Sequence, residues 1–149
     1  MAFRGAALGD LEAIVALLAD DPIGSGRESV GVRLDPRYVE AFSAIERDPN
    51  QLLAVAERDG RVTGVLQLSF IPGMTRRGMW RGQIEGVRVA AGERGSGIGR
   101  AMLLWAIEEC RKRGCGLVQL TSDKRRADAH AFYEALGFRA THEGYKLAL

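Results

Sequence analysis

Arg94-Gly95-Ser96-Gly97-Ile98-Gly99-Arg100 stands between a run rich in β-formers, Met79–Val89, and a helical apolar stripe of Leu103, Ala106, Ile107 and Cys110. A strand, a glycine turn and a helix in that order bring backbone N–H groups and the positive end of a helix dipole onto an anion. Three phosphate-binding patterns compete for the unit. A Walker A loop requires G-x-x-x-x-G-K-[ST], and no Lys-Ser or Lys-Thr pair follows these glycines. A dinucleotide fingerprint requires G-x-G-x-x-G, but after Gly95 and Gly97 its third glycine falls on Arg100, and no acidic residue closes a following strand at a suitable distance. The remaining pattern has the form Arg/Gln-x-x-Gly-x-Gly. Its glycines admit a pyrophosphate close to the backbone, and Arg94 and Arg100 add point charge. Taken alone, the same residues also suit a turn that merely joins strand to helix.

Upstream of the turn, Leu52–Glu57 and Val62–Ile71 read as strands joined by a two-residue hairpin at Asp59-Gly60, and Met79–Val89 completes an antiparallel meander. Before them, Leu11, Ile14, Val15 and Leu18 form one face of a helix, and Asp20-Asp21-Pro22 ends it. Asp35-Pro36 opens a second helix with Tyr38, Phe42 and Ile45 on one face. Downstream, the helix after the turn ends in a basic run before Gly114, with Glu108–Lys112 and Glu109–Arg113 as i,i+4 pairs. Leu117–Thr121 reads as a short buried strand. A further helix carries Ala129, Phe132, Tyr133 and Leu136, and Phe138–Thr141 and Tyr145–Leu149 are expected to close the sheet. The order predicts a mixed sheet, antiparallel first and βαβ-like later, with helices on its faces.

The chain has 149 residues, 46% of them hydrophobic and 27% charged, which suits one globular domain and excludes a disordered or low-complexity chain. Cys110 and Cys115 match neither a disulfide framework nor a zinc pattern and are expected to be reduced core thiols; His130 and His142 lack further ligands at workable spacing, so no metal is expected. The N-terminus lacks a long apolar run, and no stretch approaches the roughly 18 apolar residues of a membrane span, so a cytoplasmic protein without membrane contact is expected. The formal charge of +2 conceals a polarity. Residues 1–60 carry 6 basic and 11 acidic side chains, and residues 61–149 carry 15 and 8, so an anionic ligand is expected on the second part. Nucleic acid is not the expected ligand, because interleaved aromatics and a reading helix are missing.

Ile84-Glu85-Gly86-Val87-Arg88-Val89, the glycine turn, and Asp128-Ala129-His130-Ala131-Phe132-Tyr133-Glu134-Ala135-Leu136-Gly137-Phe138 complete the pattern. On these segments the chain resembles the GNAT superfamily of N-acetyltransferases over almost its whole length. In its last third it looks like small bacterial members of the aminoalkylphosphonate type. The resemblance implies an α/β (α+β) fold, a mixed, mostly antiparallel twisted sheet of about six to seven strands flanked by four helices, in a single N-acetyltransferase domain over 1–149. It implies direct transfer of acetyl from acetyl-CoA, the co-substrate, to a primary amine of a small molecule in a ternary complex.

Roles follow by position. An alkyl amine must lose a proton before it attacks, and Glu85 is the candidate base; its plain alternative is a strand carboxylate paired with Arg88 or Arg81. Backbone near Val87, Arg88 and Val89 is implied to hold the developing charge on the thioester oxygen. Arg94, Gly95, Ser96, Gly97, Ile98, Gly99 and Arg100 are implied to hold the pyrophosphate. Tyr133 matches the family tyrosine near the CoA sulfur that serves as general acid, although its helical stripe equally suits a core aromatic. Many members carry an Asn that contacts the pantetheine arm, and here that position is Arg126; Asp123 is the candidate replacement. Lys124-Arg125-Arg126 is either a solvated basic run or a contact for the 3′-phosphoadenosine. Arg27, Glu28, Arg33, Arg76 and Arg77 lie in the loops expected to shape the acceptor site. A non-catalytic acyl-CoA sensor and an acetyltransferase of protein N-termini or lysines stay open as alternatives. Small members of the family often pair, so a homodimer is also expected.

Overall fold

The computed structural model describes Met1–Leu149. In chain order its elements are β1 (Ala2–Gly5), α1 (Leu11–Ala19), α2 (Pro36–Arg47), β2 (Gln51–Arg58), β3 (Arg61–Ile71), α3 (Thr75–Gly78), β4 (Arg81–Val89), α4 (Ile98–Lys112), β5 (Leu117–Leu120) and α5 (Ala127–Ala135). The strands form one sheet in the order β1-β2-β3-β4-β5, antiparallel except for the parallel β4–β5 pair. This is the mixed, mostly antiparallel sheet expected. The hairpin at Asp59-Gly60 forms with positive φ at both residues, 52° and 73°, as a two-residue turn matched to strand twist requires.

The strand count is five, not six to seven. β1 adds an antiparallel edge strand to β2, and it is too short to show a period of its own. At the other end Phe138–Thr141 and Tyr145–Leu149 form no strand and pair with nothing. The four expected helices are present as α1, α2, α4 and α5. α3 is a single turn in which Arg76 and Arg77 take left-handed φ of 53° and 60°.

Two apolar layers hold the sheet. On one face α1 and α2 lay Leu11, Ile14, Leu17 and Phe42 over Val55 and Val65. On the other, α4 lays Ile98, Met102, Leu103, Ala106 and Cys110 over Ala54, Leu66, Leu68 and Ile84. Full burial of a Leu or Ile side chain here contributes about 1.5–3 kcal/mol. α4 lies so close that a Cβ on Gly82 of β4 would stand 2.3 Å from the Cys110 sulfur. Cys110 is free and buried, and burial pushes its thiol up to about 11. On the solvent side of α4 the expected i,i+4 pairs are replaced by i,i+3 pairs, Glu108–Arg111 and Glu109–Lys112; Arg113, the expected partner of Glu109, lies over the Phe70 ring at 4.1 Å instead. β5 is half-buried along its whole length rather than buried. No helix is long and apolar enough to cross a membrane.

Candidate active site

β4 changes course in its middle. Gln67 of β3 faces Glu85 and Val65 faces Arg88, so Gly86 and Val87 together oppose Leu66, with Gly86 at φ 61°. This two-against-one count is a β-bulge, which bends the strand that carries it. Pairing between β4 and β5 runs from Arg81–Leu117 to Ile84–Leu120 and stops there. From Glu85 to Val89 the β5-facing edge of β4 has no strand partner, and a gap opens between the two strands. Two buried side-chain polar atoms lack a hydrogen-bond partner, Arg88 Nε on β4 and Ser122 Oγ just after β5. They stand on the two sides of this gap. An orphaned buried polar atom carries a cost of roughly 1–3 kcal/mol, so a pair of them marks a place built for a polar ligand.

The glycine turn lies at one end of the gap. Gly95 and Gly97 have φ of 81° and 89°, conformations that side-chain-bearing residues adopt only with strain. Gly97 caps α4 without any side-chain cap, and no acidic residue occupies the first turn, so the leading N–H groups remain available to an anion. Ile98 anchors the helix start in the core at 1% exposure. Ser96 is turned back, its hydroxyl donating to the Glu93 carbonyl. Gly99 is the meeting point of three elements: a Cβ there would lie 3.5 Å from Val89 of β4 and 3.7 Å from Phe132 of α5. Arg94 is exposed but engaged within its own chain. It donates to the carbonyls of Val89 (3.3 Å) and Asp20 (3.1 Å) and fastens the turn to the end of α1. Arg100 is exposed.

Tyr133 forms the α5 side of the site. Its ring meets Phe132 and Phe138 edge-on, at 5.3 and 6.0 Å between centroids, and it packs against the α4-side core. Burial raises the phenol above its ordinary value, and the positive charges of Arg88 and Arg126 pull it partly back. It therefore stays protonated at neutral pH, as a proton donor must. Glu85 follows Ile84 at the mouth of the gap and faces the α1–α2 side, opposite the α4-side core against which Tyr133 packs. Its carboxylate does not pair with Arg88 or Arg81. It accepts from Gln83, which in turn accepts from Gln119 at 2.9 Å.

An ionic clasp that the sequence did not suggest ties the site together. Arg126 donates through both terminal nitrogens to the two Asp21 oxygens at 2.6 and 2.7 Å, and Arg88 lies 3.7 Å from the same carboxylate. Asp21 also accepts from the Gly24 N–H at 2.6 Å, holding the loop that follows α1. With Arg126 as the main cause, the Asp21 carboxyl is lowered to about 2. The Asp20-Asp21-Pro22 signal reads correctly as a helix stop, but the clasp joins residues 105 positions apart. Asp123 is also engaged locally: its carboxylate binds Arg125 at 2.9 and 2.7 Å and accepts the Arg125 N–H. Lys124, Arg125 and Arg126 thus all have carboxylate partners in their own chain, Glu143, Asp123 and Asp21. Of the three only Arg126 is largely sheltered; the side chains of Lys124 and Arg125 are exposed.

The acetyltransferase (GNAT) family model matches residues 11–138, which takes in the turn, the bulged strand and α5. The chain belongs to the GNAT acetyltransferase family. Curated relatives are N-acetyltransferases. An aminoalkylphosphonate N-acetyltransferase from Salmonella typhimurium is 34% identical over 112 residues, 75% of this chain and 72% of that protein. A glucosamine 6-phosphate N-acetyltransferase from Trypanosoma brucei brucei is 39% identical over 90 residues, 60% of this chain and 59% of that protein. Among solved structures, a transcriptional regulator from Bacillus halodurans C-125 matches with a TM-score of 0.97 at 48% identity, covering 99% of both chains.

Proposed function

We propose that the chain, as a single N-acetyltransferase domain, moves acetyl from acetyl-CoA to the primary amine of a small molecule by direct attack in a ternary complex. The observation that carries the reading is the gap between β4 and β5, flanked by the orphaned Arg88 Nε and Ser122 Oγ and ending at the uncapped start of α4. These groups fit the co-substrate, which supplies the activated acetyl when bound. The N–H groups from Gly95 to Gly99 hold its pyrophosphate, with Arg100 adding charge, and the unpaired edge at Val87–Val89 receives its pantetheine arm. Backbone N–H on that edge stabilises the negative charge that develops on the thioester oxygen. Glu85, directly or through water, takes the proton that the amine must lose. Tyr133 gives its hydroxyl proton to the departing thiolate and recovers it from solvent. Asp123 stays bound to Arg125 and orients the loop rather than the cofactor.

The acceptor is an amine that also bears an anionic group. Arg27, Arg33, Arg76 and Arg77 are exposed and have no carboxylate partner, unlike Lys124–Arg126. The relatives named for an aminoalkylphosphonate and a sugar phosphate act on amines of this kind. The test is thiol release from acetyl-CoA across a panel of aminophosphonates, amino sugar phosphates, neutral amines and peptides, with products detected by mass. Anionic amines should give the highest kcat/KM, and Tyr133→Phe should lower kcat at least about tenfold with CoA affinity little changed. A folded protein that binds CoA and releases no thiol with any amine is a sensor, and the proposal falls. A best substrate that is a peptide overturns the small-molecule part alone.

A further inference from the structure

Helices α1 and α2 cover only part of the sheet face on which they lie. Their apolar layer takes in Val55 of β2 and Val65 of β3 and no residue of β4 or β5. In the next row Leu53, Gln67 and Glu85 stand opposite one another, and in the row after that Gln51, Ser69, Gln83 and Gln119 pair across β2, β3, β4 and β5. The face thus turns from apolar to amide and hydroxyl where it leaves the helices. Gly82 and Ile84 point to α4, so the alternate residues Arg81, Gln83 and Glu85 line the same side as the row. Ser69 and Gln67 donate to the Gln51 side-chain oxygen at 3.0 and 2.9 Å, Gln119 donates to Gln83 at 2.9 Å, and Gln83 donates to Glu85. Capacity is left over. A glutamine carries two amide N–H donors, so the half-buried Gln83 and Gln119 each keep one. Of the two arginines of β4, Arg88 meets Asp21 and Arg81 meets no carboxylate.

We propose that this amide row is the part of the acceptor site that reads hydroxyl groups, and that the acceptor is an amino sugar bearing an anionic group. The proposal rests on the acetyl-transfer reading and narrows its substrate. A hydroxyl both donates and accepts, and an amide presents both functions side by side, so a row of amides matches a polyhydroxylated skeleton without any charge. An alkyl amine laid over the same row would take water from Gln83 and Gln119 and return no partner, a loss of roughly 1–3 kcal/mol for each group left unmet. The order along β4 sets the order along the acceptor. Glu85, nearest the bulge, takes the proton of the amine; Gln83, with Ser69 and Gln119 beside it, meets the hydroxyls; Arg81, at the foot of the loop that carries Arg76 and Arg77, meets the anion. At about 3.3 Å per residue the base and the cation stand roughly 13 Å apart along the strand, which leaves room for a sugar ring between amine and anion.

The experiment compares glucosamine 6-phosphate with 5-aminopentyl phosphate, which keeps the amine, the phosphate and a similar spacing but carries no hydroxyl on its chain. In the wild type kcat/KM should favour the sugar by about tenfold or more. Gln119→Leu, its fold checked by circular dichroism, should lower kcat/KM for the sugar at least about fivefold more than for the alkyl phosphate, chiefly through KM. A glutamine that merely orients Glu85 through Gln83 would lower both alike. Arg81→Met should raise KM for the two phosphates more than for glucosamine. Calorimetry of the same acceptors on the CoA-loaded protein reads these preferences without turnover. Thiol release with equal kcat/KM for sugar and alkyl phosphate overturns the hydroxyl reading and leaves acetyl transfer standing. So does a sugar preference that Gln119→Leu leaves untouched, which assigns the hydroxyl contacts to other residues. A calorimetric preference for the sugar without any thiol release supports the row as a sugar site and overturns acetyl transfer alone.

Discussion

Residues up to Cys110 and residues after it are built in different ways. The first region holds every buried side chain, two apolar layers and all the antiparallel pairing. The second contributes β5, α5 and the tail, has no buried residue, and is fastened by Arg126 on Asp21 and by half-buried aromatics. Yet Tyr133, Asp123 and one side of the gap belong to the second region. The difference teaches that the scaffold is stabilised by burial while the site is positioned by a few directional contacts. Such a region can be shifted by a ligand, a partner or pH at little cost to the rest.

Matched truncations test the contrast most strongly. Leu103→Ala, at a position with 0% exposure, should cost about 4 kcal/mol in urea unfolding, and Leu136→Ala on the far side about 1 kcal/mol. Equal costs would erase the distinction. Next comes the clasp. Arg126→Ala removes both arginine hydrogen bonds from a carboxylate whose side chain is 11% exposed, leaves it Arg88 and the Gly24 N–H, and should cost about 2 kcal/mol. Because the folded value of Asp21 is depressed from 3.8 to about 2, the clasp contributes fully above the unfolded value and is lost as pH falls through the folded one. The stability gap between wild type and Asp21→Asn should therefore be flat at neutral pH and close with acid between those two values. A gap that widens with acid would assign the stabilisation elsewhere. A smaller effect is expected at Gly97→Ala, about 1 kcal/mol of backbone strain at φ 89°, with CoA binding weakened more than stability. Unchanged CoA affinity there would remove the turn from the binding site. The mildest effect is that of salt: CoA affinity should fall severalfold as ionic strength rises, by less than the charge of the second region alone suggests, since Asp20 and Asp21 engage Arg94, Arg88 and Arg126. A flat salt profile would make the remaining charge incidental.

The sequence by itself determined the meander, the Asp59-Gly60 hairpin, the four longer helices and the glycine turn, because each is set by a local period or by the conformational freedom of a few neighbouring residues. It also determined the family, through motifs whose order and spacing are visible along one dimension. What only the tertiary structure decided is everything set between distant segments. The bulge that opposes Gly86 and Val87 to Leu66 depends on β3–β4 register, and the gap depends on where β5 stops pairing with β4. The clasp joins Asp21 to Arg126 and so ties one member of the basic run to the loop after α1. The tail reads as strand because its alternation is real, but alternation specifies a face and not a neighbour. A strand forms only where its backbone meets an edge, and the segment beyond Phe138 meets none, although the outer edge of β5 is free.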